Sequence, residues 1–239
     1  MAVFADGRHG LPGLSAAGFE CTVFDGGTGS LSDRIDQLSR FIDGLQAADS
    51  TISMVALFGY SAGGLTARGL LRAYPESRVS AIFQLAAPNA GIVTDDQRGV
   101  FRRIHFEQSV IEDMDVESPF MAWLNKTPGH WEAGGTQEKH WKLDKPPWVA
   151  PKDVPIFNLA GRVPRYGNNS DGVVPVESAT LYGLLPHGFI DGRNANHLNL
   201  SGAWNPVTLL LRGWRSDDRL WPQAVAAAAA FFREKEALA

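Results

Sequence analysis

The chain has a single cysteine, Cys21, in 239 residues. An internal disulfide and a cysteine-built zinc cluster are therefore excluded. No apolar run approaches the roughly 18 residues of a membrane span, so no integral membrane segment is expected. The opening Met1–Asp6 has neither the basic start nor the apolar stretch of a secretory signal, which points to a cytoplasmic protein. Charged residues make up only 20% and the net charge is −4, with no basic patch, so nucleic acid is not an expected partner. Histidine is also scarce, with six in the chain, and that scarcity narrows the search for a catalytic base.

What is present is enough apolar residue, 44%, to bury a sizeable core, together with many loop formers (25 Gly, 14 Pro). Short apolar runs alternate with helical periodicity. Phe19–Asp25 reads as a strand closing on the turn Gly26–Gly29. Ile35, Leu38, Phe41, Ile42 and Leu45 then recur at spacings of three and four, predicting a helix over Leu31–Leu45 capped by Ser32 or Asp33. Thr51–Phe58, Arg78–Leu85 and Val154–Ala160 are nearly continuous apolar runs of strand length, as in strands buried on both faces. Leu65–Tyr74 between the first two is helical and stops at Pro75. The order predicts an α/β fold with a mostly parallel central sheet and helices on both faces.

Two segments break the alternation. Residues 91–153 read as a helical and loop-rich lid or cap insertion within a single domain spanning 1–239. Val100, Ile104, Ile111 and Met114 share one helical face there, and four of the seven tryptophans follow: Trp123, Trp131, Trp141 and Trp148. At the other end, Pro222 introduces Ala224–Ala230 and Phe231-Phe232, the composition of a terminal helix docked by its aromatics.

The chemistry begins at Gly59-Tyr60-Ser61-Ala62-Gly63, a G-x-S-x-G match lying between a predicted buried strand and a predicted helix. That setting is the one the motif requires: a sharp strand-to-helix turn that presents a serine hydroxyl, with glycines where neighbouring chain passes close by. The helix N-terminus behind Ser61 offers N–H groups to a developing oxyanion, Ala62 first. A serine hydroxyl needs a base, and with this elbow the acid and then the histidine follow the serine along the chain. His9 precedes it. His105, His130 and His140 fall in the insertion. His187 and His197 remain, His187 entering a short strand at 187–190 and His197 in the polar loop after it. A base projects from a loop at the carboxyl edge of the sheet, which favours His197 over His187. Asp171 follows the strand Val154–Ala160 and is the favoured acid. Asp153 precedes that strand and Asp191 comes late, close to the histidine. Tyr60, beside the serine, and Trp123, in the insertion, are the candidate substrate contacts. His130 and His140 have no further ligand at metal spacing, so neither metal nor cofactor is expected.

These stretches resemble bacterial lipases and esterases of the α/β-hydrolase family. Gly59–Leu71 is similar to their nucleophile elbow and following helix, and Arg78–Ala90 to their next strand, with Ala87-Pro88-Asn89 where a Gly-Thr-Pro-type segment usually stands. Ser118–Asn125 resembles part of their insertion. Pro155–Arg162 with Ser170–Ala179 resembles the acid strand and turn, and Asn196–Leu200 the histidine loop. The resemblance spans about residues 19 to 200, and the elbow is its most specific part. It implies Ser61, Asp171 and His197 as a triad, and ester substrates, small molecules or lipids, with an apolar acyl or alcohol side. Family members usually carry strands ahead of a His-Gly loop that supplies a second oxyanion N–H. This chain has His9-Gly10-Leu11 after the strand-like Ala2–Ala5, so an N-terminally shortened version is expected, the second donor being Arg8 or Leu11. The expected activity is serine-dependent carboxylic ester hydrolysis. A thioesterase, amidase or acyltransferase on the same triad, or a non-catalytic binding module on the same fold, are the alternatives.

Overall fold

The computed structural model describes residues 2–5, 11–25, 27–52, 54–93, 107–133, 139–193, 195–200 and 220–237. Its strands in chain order are β1 (Ala2–Ala5), β2 (Cys21–Phe24), β3 (Val55–Tyr60), β4 (Val79–Leu85), β5 (Gly129–Ala133), β6 (Lys139–Leu143), β7 (Ile156–Arg162) and β8 (His187–Asp191). The α-helices are α1 (Leu11–Ala16), α2 (Leu31–Ala48), α3 (Ala62–Ala73), α4 (Gln108–Met114), α5 (Pro119–Asn125), α6 (Val176–Ala179), α7 (His197–Leu200) and α8 (Leu220–Glu236).

Six strands form one sheet in the order β2-β1-β3-β4-β7-β8, and every neighbouring pair is parallel. Parallel pairing puts all the carboxyl ends on one edge, where loops from several strands can meet. β1 lies inside the sheet, between β2 and β3, with Ala5 level with Gly59.

Side chains alternate along a strand, and here the alternation divides two cores. Phe58, Phe83 and Leu85 face Leu14 of α1 and Ala224, Ala228 and Phe232 of α8. Leu57 and Ile82 face Leu38 and Ile42 of α2 and Ala67, Leu70 and Leu71 of α3. Helices thus cover both faces. The alanine run does form the terminal helix: Ala224, Ala228 and Phe232 recur every fourth residue on its buried face, and Phe232 meets Phe83 edge-on at 6.3 Å.

Local chemistry moved several boundaries. The α2 cap is Ser30, not Ser32 or Asp33. Its hydroxyl accepts from the Asp33 N–H at 3.2 Å and the Asp33 carboxylate accepts from the Ser30 N–H at 2.9 Å, a reciprocal capping box. β3 begins at Val55 because the Asp49 carboxylate accepts from the N–H and hydroxyl of Thr51, holding that residue in a turn. It runs two residues further than expected, through Gly59 and Tyr60, because these still pair with Gln84 and Leu85.

Between β4 and β7, the described part of residues 91–153 comprises α4, α5 and the antiparallel hairpin β5–β6. The hairpin replaces the expected loop. Trp131 and Trp141 sit opposite one another in its register, rings edge-on at 5.3 Å, a cross-strand aromatic pair. α4 and α5 bury Val110, Met114, Phe120, Met121 and Leu124 in a core shared with Leu31 and Ile35 of α2 and Leu65 of α3. Of the expected amphipathic face, Ile111 and Met114 fall on α4, while Val100 and Ile104 lie outside the described residues. No described helix is long and apolar enough to cross a membrane.

Candidate active site

Ser61 occupies the single residue between β3 and α3, with φ 51° and ψ −122°. This is a sparsely populated region for a residue with a Cβ, and holding it there costs on the order of 1–3 kcal/mol. Close packing maintains it. A Cβ added at Gly59 would lie 2.6 Å from the carbonyl carbon and oxygen of Gly63 and from the nitrogen of Gly64. One at Gly64 would lie 2.5 Å from the Cβ of Ala87, so Gly64 also matters to the close fit of the turn. The Ser61 N–H donates to the Leu85 carbonyl at 2.9 Å, tying the turn to the end of β4. Serine at such a position ordinarily caps the helix with its side chain. Here it makes no cap, and the backbone twist directs Oγ elsewhere.

It goes to His197, whose Nε2 lies 2.9 Å from Ser61 Oγ. On the other side of the ring, His197 Nδ1 lies 2.7 Å from Asp171 Oδ2. The second carboxylate oxygen, Oδ1, accepts from the N–H groups of Val173 at 2.9 Å and Val174 at 2.7 Å. The His197 N–H donates to the Asp171 carbonyl at 3.0 Å, so the two residues are joined through main chain as well as side chain. Relative exposures of 5% for Ser61, 4% for His197 and 1% for Asp171 put this relay out of bulk water, where hydrogen bonds are stronger.

The three residues follow the carboxyl ends of β3, β7 and β8: Ser61 on the turn, Asp171 in a loop, and His197 at the first position of the short helix α7 rather than in the expected loop. The rival candidates are elsewhere. His187 starts β8, away from that edge, with Nδ1 2.7 Å from the Leu185 carbonyl. Asp191 is held by Arg162 at 2.5 and 2.6 Å. Asp153 is exposed in the turn before β7. His130 pairs with Asp144 at 2.6 Å on the exposed hairpin, which raises its pKa. Among the described residues no cluster of three or more His, Cys, Asp or Glu is placed to hold a metal ion.

Ala62 is the first residue of α3, and the leading N–H groups of a helix have no acceptor within it. Leu11 opens α1, whereas Arg8 and His9 lie outside the described residues. Trp123 and Tyr60, the expected substrate contacts, have the following protein neighbours. Trp123 packs on Phe120, near Gly69, and over Arg72. Gly69 is about 10 Å along α3 from its start at 1.5 Å per residue. Tyr60 donates its hydroxyl to the His197 carbonyl at 2.6 Å, behind the imidazole.

No family model matches the chain, and no curated protein matches it by sequence. Solved structures do. The mature lipase BlEst2 of Bacillus licheniformis superposes with a TM-score of 0.61 at 15% identity, covering 88% of this chain and 90% of that one. The metagenomic carboxyl esterase MGS0156 gives 0.64 at 15% identity, over 100% of this chain and 76% of that one. Phospholipase PlaB of Legionella pneumophila gives 0.60 at 14% identity, over 98% of this chain and 64% of that one. The chain has the α/β-hydrolase fold. In this chain the residue on the turn after β3, at the carboxyl edge of the sheet, is Ser61.

One buried group gave no warning in the sequence. Arg68 of α3 is fully buried, and burial pushes its pKa down to about 9. Its guanidinium donates to the carbonyls of Val149, Asn89 and Trp148 and to Asn125 Oδ1. No carboxylate accepts from it among these bonds, so main-chain dipoles carry the charge. The helix that starts at the elbow is thereby fastened to the segment between β4 and β7. Gln84 and Asn89 continue the fastening, Gln84 Nε2 reaching the Gly64 carbonyl at 2.8 Å. An arginine on an amphipathic helix ordinarily marks the solvent face, which conceals this role.

Proposed function

We propose that the protein is a serine-dependent carboxylic ester hydrolase. The observation that carries the reading is the unbroken relay from Ser61 Oγ through His197 to Asp171 at a strained, buried elbow. Ser61 Oγ attacks the acyl carbon while His197 Nε2 takes its proton. The carbonyl oxygen becomes an oxyanion, which the Ala62 N–H meets at the positive end of α3. For the second donor the expectation remains Arg8 or Leu11, which follow β1 in the chain; β1 itself ends at Ala5, level with Gly59. His197 then returns its proton to the departing alkoxide, leaving an acyl-serine. Water attacks that ester with His197 again as base, and the acid product leaves Ser61 restored. Asp171 Oδ2 faces Nδ1, fixes the imidazole as the Nδ1–H tautomer and stabilises the imidazolium.

The likeness to a lipase, a carboxyl esterase and a phospholipase supports an ester substrate. A p-nitrophenyl ester series of increasing acyl length tests the reading. Turnover by the wild-type protein and none by Ser61→Ala is expected, and the length preference separates an esterase from a lipase. Turnover that survives Ser61→Ala would overturn it.

A further inference from the structure

We propose that Tyr60 is a positioning residue for the catalytic base, its hydroxyl anchoring the main chain of His197. The inference rests on the hydrolase reading of the site. Tyr60 ends β3 and immediately precedes Ser61, and its side chain lies on the same face of the sheet as Phe58, packed against the core that includes Leu200 of α7. From there its hydroxyl donates to the His197 carbonyl at 2.6 Å, across 137 residues of sequence. Its ring lies 5.1 Å from the imidazole, centroid to centroid, inclined at 36°.

His197 is the first residue of α7, a helix of four residues. One turn of helix has no stability of its own, so tertiary anchors set its position. The peptide groups flanking His197 have two such anchors. The N–H is held by the Asp171 carbonyl and the C=O by Tyr60. One anchor belongs to the acid, and the other is joined covalently to the nucleophile. The base is thus referenced to both of its partners, and the 2.9 Å Nε2–Oγ spacing depends on the Tyr60 bond as much as on the Asp171 bond. A substrate-contacting tyrosine would point its hydroxyl towards the serine side of the imidazole. This one points at main chain.

Tyr60→Phe removes the hydroxyl and keeps the ring. The expected result is a fall in kcat of about 10- to 100-fold with KM unchanged within about twofold, the pattern of misplaced catalytic groups rather than lost binding. Labelling of Ser61 by a fluorophosphonate slows by a similar factor. The downfield proton resonance expected from the 2.7 Å His197–Asp171 hydrogen bond of the wild-type protein broadens or disappears. Tyr60→Met, which keeps bulk without a hydroxyl, reproduces the defect. A rise in KM with kcat intact would instead make Tyr60 a substrate contact. A wild-type kcat together with an unchanged resonance in both variants would overturn the proposal outright. The resonance is read without turnover, so it tests the Tyr60 anchor even if the wild-type protein hydrolyses no ester, a result that would overturn the hydrolase reading separately.

Discussion

Replacing Asp171 by asparagine tests the site at its least forgiving point. The carboxylate oxygens have different partners: Oδ1 accepts from the N–H groups of Val173 and Val174, and Oδ2 faces His197 Nδ1. An asparagine amide has one acceptor and one donor end. Its oxygen must face the two N–H donors, which directs its NH2 at His197 Nδ1. The imidazole then carries its proton on Nε2, where it cannot accept the proton of Ser61. Flipping the amide restores the right tautomer but sets NH2 against two buried donors 2.9 and 2.7 Å away. Leaving these unsatisfied costs about 1–3 kcal/mol each, so the competent form is populated at roughly one part in 10² to 10⁴. Loss of the negative charge beside the imidazolium adds to this, and a fall in kcat on the order of 10⁴ is expected, the scale known for this substitution in serine-protease triads. The assay is steady-state hydrolysis of a p-nitrophenyl ester, with circular dichroism to verify folding. Asp191→Asn, which removes only an exposed partner of Arg162, stays within a few-fold of wild type. A kcat for Asp171→Asn within tenfold of wild type would refute the reasoning.

The elbow and its supports yield three further expectations. Gly59→Ala forces a Cβ to within 2.6 Å of main-chain atoms that cannot rotate away, so activity is lost and urea denaturation shows a destabilisation of about 2–3 kcal/mol. Ser61→Gly and Ser61→Ala both lose the bond to His197, but only glycine tolerates φ 51° and ψ −122° without strain; the glycine variant should be the more stable by about 1 kcal/mol, read as a higher thermal midpoint. Arg68→Leu strips the donor from acceptors on Asn89, Asn125, Trp148 and Val149, and should lower unfolding free energy by on the order of 3 kcal/mol, measured in urea.

The parts of the site governed by local pattern were legible in the sequence. A buried strand running into G-x-S-x-G pointed to Ser61, and chain order with strand-to-loop position pointed to Asp171 and His197 over seven rivals, five histidines and two aspartates. Spacing and strand-to-loop position are contained in a linear pattern. The order of strands was not legible, since β1 slots between β2 and β3 and no periodicity reports its neighbours. Side-chain destinations across long separations were hidden too. Tyr60 read as a substrate contact and turned to the His197 carbonyl, and Trp123 packed beside Gly69 and Arg72. Cap geometry likewise depended on which side chain reached back: Ser30 and Asp33 closed the box reciprocally, with the cap two residues before the expected Ser32.

The proposed hydrolase stands on Ser61 acting as a nucleophile activated by His197. Incubation with a fluorophosphonate, followed by intact-protein mass spectrometry and peptide mapping, tests it directly. One adduct is expected on the wild-type chain, mapped to Ser61, absent from Ser61→Ala and strongly slowed in His197→Ala. An unlabelled wild-type chain, or an adduct that persists in Ser61→Ala, would contradict it.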